Sequence, residues 1–145
     1  MNWEKKYRGG DEVYGESIFT NRWETIGSYQ LPFKEIVKLQ FSANGQYQNS
    51  AYGTTIYNAT QHIGFAQMTW NKNFRSSDLL LGIAYRYTLY DDNTPATNGI
   101  NQPNEIHLPG IFIQNEIKIN ELNKLLLGLR SVSYTHLTLP TNREV

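Results

Sequence analysis

The chain of 145 residues is long enough for one domain with a core and short for two. Its 13 Lys and Arg balance 13 Asp and Glu, so zero formal charge leaves no electrostatic footprint for nucleic acid or for an acidic partner. The absence of cysteine removes disulfides, thiolate metal sites and cysteine nucleophiles together.

At the start, Met1 to Gly10 carries charge where a signal peptide would carry an apolar stretch, and no later run approaches the roughly 18 apolar residues of a membrane helix. The organisation that follows has period 2. Ser17–Leu31 predicts a strand with Phe19, Trp23, Gly27, Tyr29 and Leu31 on one face and Thr20, Arg22, Glu24, Ser28 and Gln30 on the other; Asn21 and Thr25 interrupt the first face. Ile36–Asn49 alternates most strictly, setting Val37, Leu39, Phe41, Ala43, Gly45 and Tyr47 against Lys38, Gln40, Ser42, Asn44, Gln46 and Gln48. That alternation outlasts an ordinary soluble strand of about 5 to 6 residues. Ile63–Asn71 reads as a third strand with Ala66, Met68 and Trp70 opposite Gln67 and Thr69. Leu79–Tyr90 places Leu79, Leu81, Ile83, Tyr85, Tyr87 and Leu89 opposite Gly82, Ala84, Arg86 and Thr88. Ile111–Asn120 sets Ile111, Ile113, Ile117 and Ile119 against Gln114, Glu116 and Lys118, with Asn115 on the apolar side, and Leu125–Arg130 opens a sixth strand through Leu125, Leu127 and Leu129. A helix over Asn115–Arg130 is the rival there, since Ile117, Leu122, Leu125 and Leu129 fall at helical spacing.

The connectors divide by length. Pro32–Glu35, Lys72–Asp78 and Glu121–Lys124 are short, whereas Ser50–His62 and Asp91–Gly110 are long. In an all-β antiparallel up-and-down meander, strict alternation puts the short turns at one end and the long loops at the other, as in an outer-membrane barrel. Tyr29 and Trp70 then mark the short-turn rim, and Tyr47, Tyr87 and Tyr90 the opposite one. The 13% aromatic content, with a mean hydropathy of −0.53, also suits a wall whose lipid-facing and lumen-facing residues average out along each strand.

The segments "RGGDEVYGESIFTNRWETIGSYQLP", "AYRYTLYDDNTPAT" and "HLPGIFIQNEIKINELNKLLLGLR" together resemble the membrane barrel of TonB-dependent outer-membrane receptors of the Bacteroidetes type. The resemblance covers roughly residues 1–130 and implies an open segment of a large transmembrane β-barrel of about 22 strands, with bacterial outer-membrane lipid around it. It implies as further partners a plug domain, the TonB energy-coupling system and a scarce small-molecule nutrient of the siderophore, cobalamin or glycan class. Residues 131–145, "SVSYTHLTLPTNREV", change character and resemble translated sequencing-adaptor read-through, which implies a non-native tail.

Under that resemblance Arg22, Glu24, Lys38, Arg86, Glu116 and Lys118 face the lumen, where they pair with plug groups or simply form a solvated charged wall. Tyr52, Tyr57 and Tyr90 sit at external loop bases and offer rigid amphipathic surface to a ligand. Asp91, Asp92 and Asn93 bring hard oxygen atoms suited to calcium, but three such groups fall short of 6 to 8 ligands and are also ordinary turn chemistry. No catalytic residue or cofactor is expected. The alternative is a small soluble lipocalin-like barrel, the same alternation turned inside out. An enzyme using two carboxylates among Asp11, Glu12, Glu24, Asp91 and Asp92 ranks last, for nothing in the spacing pairs two of them.

Overall fold

The computed structural model describes residues 8–97 and 103–137. Among these residues seven strands form one antiparallel sheet: β1 (Glu16–Leu31), β2 (Ile36–Tyr52), β3 (Thr55–Asn73), β4 (Ser77–Asp92), β5 (Asn104–Lys118), β6 (Lys124–Val132) and β7 (Thr135–Leu137). β1 to β6 pair in chain order, and β7 pairs with β5. Among the described residues there is no α-helix, only a single 3-10 turn at Pro95–Thr97. The sheet is an up-and-down meander that does not close on itself, an open segment of barrel-like wall.

Four of the sequence boundaries need correction. The connector predicted over Ser50–His62 is a turn at Gly53 and Thr54, where Gly53 takes φ 57, because β2 and β3 stay paired out to Tyr52 and Thr55. The predicted length alternation of the connectors fails at this point. The second long connector shrinks to Asn93–Pro103, since β5 begins at Asn104; its residues 98–102 lie outside the described residues. The helical rival over Asn115–Arg130 is replaced by the end of β5, a turn and β6; Asn120 Oδ1 accepts the backbone N–H groups of Leu122 and Asn123 at 3.0 and 2.7 Å and so closes the turn. The strand expected over Leu125–Arg130 runs two residues further, to Val132, and β7 keeps the register of β6 on β5. The two-residue gap between them lies opposite Pro109, which has no N–H to give to the ladder. Residues 138–145 of the predicted tail lie outside the described residues.

Directly paired residues project to the same side of a sheet, so the register assigns every side chain to a face. Leu31, Val37, Trp70, Leu81, Ile113 and Leu129 form one row across six strands. Tyr29, Leu39, Met68, Ile83 and Ile111 form the next row, on the same face. The facing expected for Ala66, Met68 and Trp70 is the one found, and Asn115 does fall on the apolar side. Glycines inside strands weaken a sheet; here Gly27, Gly45 and Gly82 each lie beneath the ring of the residue directly opposite, Phe41, Trp23 and Phe112, so the ring covers the backbone that a missing side chain leaves bare.

No second layer covers the apolar face. Among the described residues Ala51 is the one buried apolar side chain, whereas Trp23, Ile83, Ile111 and Leu129 are 51%, 53%, 61% and 77% exposed. A soluble single domain of this length hides most such groups. The apolar band also crosses the rows obliquely. On β1 to β3 its lower margin is the row of Leu31, Val37 and Trp70, with Lys72 beyond; on β5 and β6 it reaches Ile117 and Leu125, four residues past Ile113 and Leu129. That is about 14 Å of drift over about 19 Å of sheet width, which tilts the strands about 35° from the perpendicular to the band.

Candidate functional site

The polar face gathers all six predicted lumen residues. Arg22 sits opposite Gln46, Glu24 opposite Asn44, Lys38 opposite Thr69, Arg86 opposite Phe65, Glu116 opposite Asp78 and Lys118 opposite Lys124. Three ion pairs use four of them: Arg22–Glu24 at 3.1 Å, Lys118–Asp78 at 3.2 Å and Lys124–Glu116 at 2.7 Å. These pairs are largely open to solvent and add little stability. No carboxylate lies within ion-pair distance of Lys38 or Arg86 among the described residues, nor of Arg130, a cation that sequence alone did not single out. Amides fill the spaces between, as where Gln67 Nε2 donates to Gln40 Oε1 at 3.4 Å.

At the far end of the sheet from Pro32–Glu35, the predicted ligand residues part company. Tyr57, Tyr90 and Asp92 come together on the polar face. The Tyr90 hydroxyl donates to Asp92 Oδ2 at 3.0 Å, so the 2.7 Å contact between the tyrosine hydroxyls is donated by Tyr57. Asp92 Oδ1 accepts from Thr94 N at 2.8 Å, Thr94 Oγ1 at 2.7 Å and Thr97 Oγ1 at 2.9 Å. Its carboxylate is therefore enclosed by donors and pins the 3-10 turn, an arrangement that a calcium ion would have to dismantle. Asn93 is likewise committed, accepting from Asn58 N at 2.9 Å and donating to the Ile56 carbonyl at 2.8 Å, which prolongs β3–β4 pairing by side chain. Asp91 faces the opposite way, across from Thr60, and Tyr52 stands at the β2–β3 tip, 41% exposed. No cluster of three or more His, Asp or Glu able to hold a metal occurs among the described residues. The Asn-Thr partners of this knot, Asn58, Thr94 and Thr97, carry no sequence signal beyond turn composition.

The short-turn end has its own cluster. Trp70 donates its indole N–H to Glu35 Oε2, Lys72 Nζ reaches Glu35 Oε1 at 2.8 Å, and the same ammonium lies 5.6 Å from the Trp70 ring and 5.8 Å from that of Phe74. Hydrogen bonds from Lys72 and Trp70 hold the Glu35 carboxyl below its usual range. An aromatic body with a wet tip, beside a long cation, is the chemistry of an interface between apolar and aqueous media.

Against protein-family models, curated proteins and solved structures, the chain finds no match. The functional reading therefore stands on the sheet, its two faces and the residues quoted above.

Proposed function

We propose that the chain is a stretch of wall from a bacterial outer-membrane barrel of the TonB-dependent receptor type, its apolar face against lipid and its polar face toward an aqueous bore. The observation that carries the reading is the exposed oblique band. Large apolar side chains cover one face with nothing packed on them, and the band's inclination of about 35° matches the 35–45° tilt of strands in such barrels. Strands of 15 to 19 residues over β1 to β5 exceed the 9–11 residues needed to cross a bilayer at a tilt. On the long-loop side β1, β2 and β3 stay paired out to Glu16, Tyr52 and Thr55, beyond the end of β4 at Asp92 opposite Ala59, and this projecting edge lies where an external loop would meet a nutrient. The Trp70–Lys72–Glu35 cluster fits the opposite rim.

In this role the wall contributes no covalent chemistry. Its loops would take part in capturing a scarce nutrient, of the siderophore, cobalamin or glycan class, and its polar face would line the path while a plug domain coupled to TonB controls passage. The absence of native cysteine makes the test direct. In phospholipid vesicles, Met68→Cys and Ile111→Cys should react with a water-soluble maleimide at least about tenfold more slowly than Gln67→Cys and Lys38→Cys, because hydrocarbon excludes the reagent. Equal rates on the two faces refute the reading.

One observation favours the lipocalin-like alternative: the apolar face has a hollow of about 600 Å³ bordered by Val37, Met68, Trp70, Leu81, Ile83 and Ile113. In that case the full chain would remain a monodisperse monomer without detergent and would take up an apolar ligand there.

A further inference from the structure

The polar face is not uniformly filled. Ala84 and Gly110 are paired with each other in the middle of it, and a single methyl beside bare backbone leaves a depression between larger neighbours. Two adjoining hollows, of about 360 and 450 Å³, share Phe65, Ala84, Gly110 and Arg130. The first also takes in Ser42, Arg86 and Leu108, with Ile63 and Val132 completing an apolar floor. Elsewhere on this face Arg22, Lys118 and Lys124 each have a carboxylate within 3.2 Å, while Lys38, outside the depression, has none in reach among the described residues. Arg86 and Arg130 border the depression with no carboxylate in reach among the described residues.

Two guanidiniums beside an apolar floor have a chemical complement. A guanidinium offers parallel N–H donors that suit a carboxylate or phosphate, while Phe65, Ile63 and Leu108 provide surface for a hydrocarbon or aromatic body. We propose that this depression is a binding site for a small organic anion with an apolar body, its acidic group held over Ala84 and Gly110 by Arg86 and Arg130, which the register sets on either side of that pair, and its body lying against Phe65, Ile63 and Leu108. The inference is independent of the medium that meets the opposite face.

Phenyl phosphate is a suitable probe, titrated calorimetrically into the full chain in zwitterionic micelles, or in buffer should the chain prove soluble. Saturable binding is expected. Inorganic phosphate, which lacks the body, and benzyl alcohol, which lacks the charge, should each bind at least about tenfold more weakly. Arg86→Gln and Arg130→Gln should each lower affinity about tenfold or more, as loss of a charge-assisted pair does. Arg86→Lys should fall between, Ala84→Leu should block the site by filling it, and Lys38→Gln should leave binding unchanged. All variants are compared at equal strand content by circular dichroism. Absence of saturable binding to the folded chain, undiminished affinity in both arginine variants, equal affinity for inorganic phosphate, or preferential binding of an acidic peptide over phenyl phosphate would each overturn the proposal. None of these results bears on the maleimide test, so the two readings fail separately.

Discussion

Replacing Met68 by Arg separates a membrane wall from a soluble sheet by the size of its effect. Met68 lies one step inside the Trp70 rim on β3, between Leu39 and Ile83 in the register, and is already 41% exposed. If its surroundings are water, Met68→Arg is a surface substitution, worth within about 0.5 kcal/mol either way. If they are hydrocarbon, a cation at the bilayer midplane costs about 2 to 4 kcal/mol, less toward the rim; for this position we expect about 2 to 3 kcal/mol. At about 1.4 kcal/mol per decade, that corresponds to a loss of roughly 30- to 150-fold in the equilibrium between membrane-inserted and free chain. Gln67→Arg, one residue away on the polar face, is the internal control and should change the same equilibrium by less than about threefold. Flotation with phospholipid vesicles over a urea series, read by tryptophan fluorescence, measures both. Indistinguishable midpoints for the two arginine variants would refute the assignment of faces to media.

Other consequences can be checked in the same assay. Gly82→Ala places a methyl group where the Phe112 ring now lies, and turning that ring away should cost about 1 to 3 kcal/mol, as overpacking does, seen as a lower urea midpoint. Asn115 Oδ1 is shielded from solvent without a hydrogen-bond partner on the apolar side; Asn115→Leu should raise stability by about 1 to 2 kcal/mol. Because Glu35 has a lowered pKa in the folded chain, its stabilising contribution is complete above the ordinary carboxyl value of about 4.5 and is lost as pH falls through the folded value. Glu35→Gln should therefore lower stability at neutral pH, where that contribution is complete, and flatten the acid limb, the two profiles converging once pH falls below the folded value. Asp92→Asn weakens the acceptor for Thr94 and Thr97 and should speed amide hydrogen exchange at residues 93–97 while leaving β1 to β3 protected.

The faces of the strands were legible because alternation is a physical record of two media: wherever one side is apolar and the other wet, parity alone assigns Val37, Met68 or Leu81. The same rule explains what was lost. Over Thr55–His62 the two faces carry Ile56, Asn58, Thr60 and His62 against Thr55, Tyr57, Ala59 and Gln61, so polar groups lie on both and the period disappears although the hydrogen-bond ladder with β2 continues. Pairing there is held by the partner strand and not by a contrast in hydropathy. The start of β5 was missed in the same way, with Glu105 and His107 on the side that is apolar further along. In the candidate site, parity brought the six charged residues to one face but could not show that Asp92 spends its carboxylate on Thr94 and Thr97. Those bonds depend on the path of a 3-10 turn, which composition does not fix. Nor could it show the depression at Ala84 and Gly110, which exists only because register sets two small residues from different strands side by side.

A wall one strand thick has a calorimetric consequence. Heat capacity rises on unfolding chiefly when apolar surface meets water for the first time, normally by about 12–15 cal/mol/K per residue. In this sheet Ala51 alone among the described apolar side chains is withheld from its surroundings, and whatever solvates the outer face, lipid or detergent, can follow the chain as it opens. Its melting should therefore carry a small increment for its length, and its free energy should fall almost linearly with temperature in place of the usual dome.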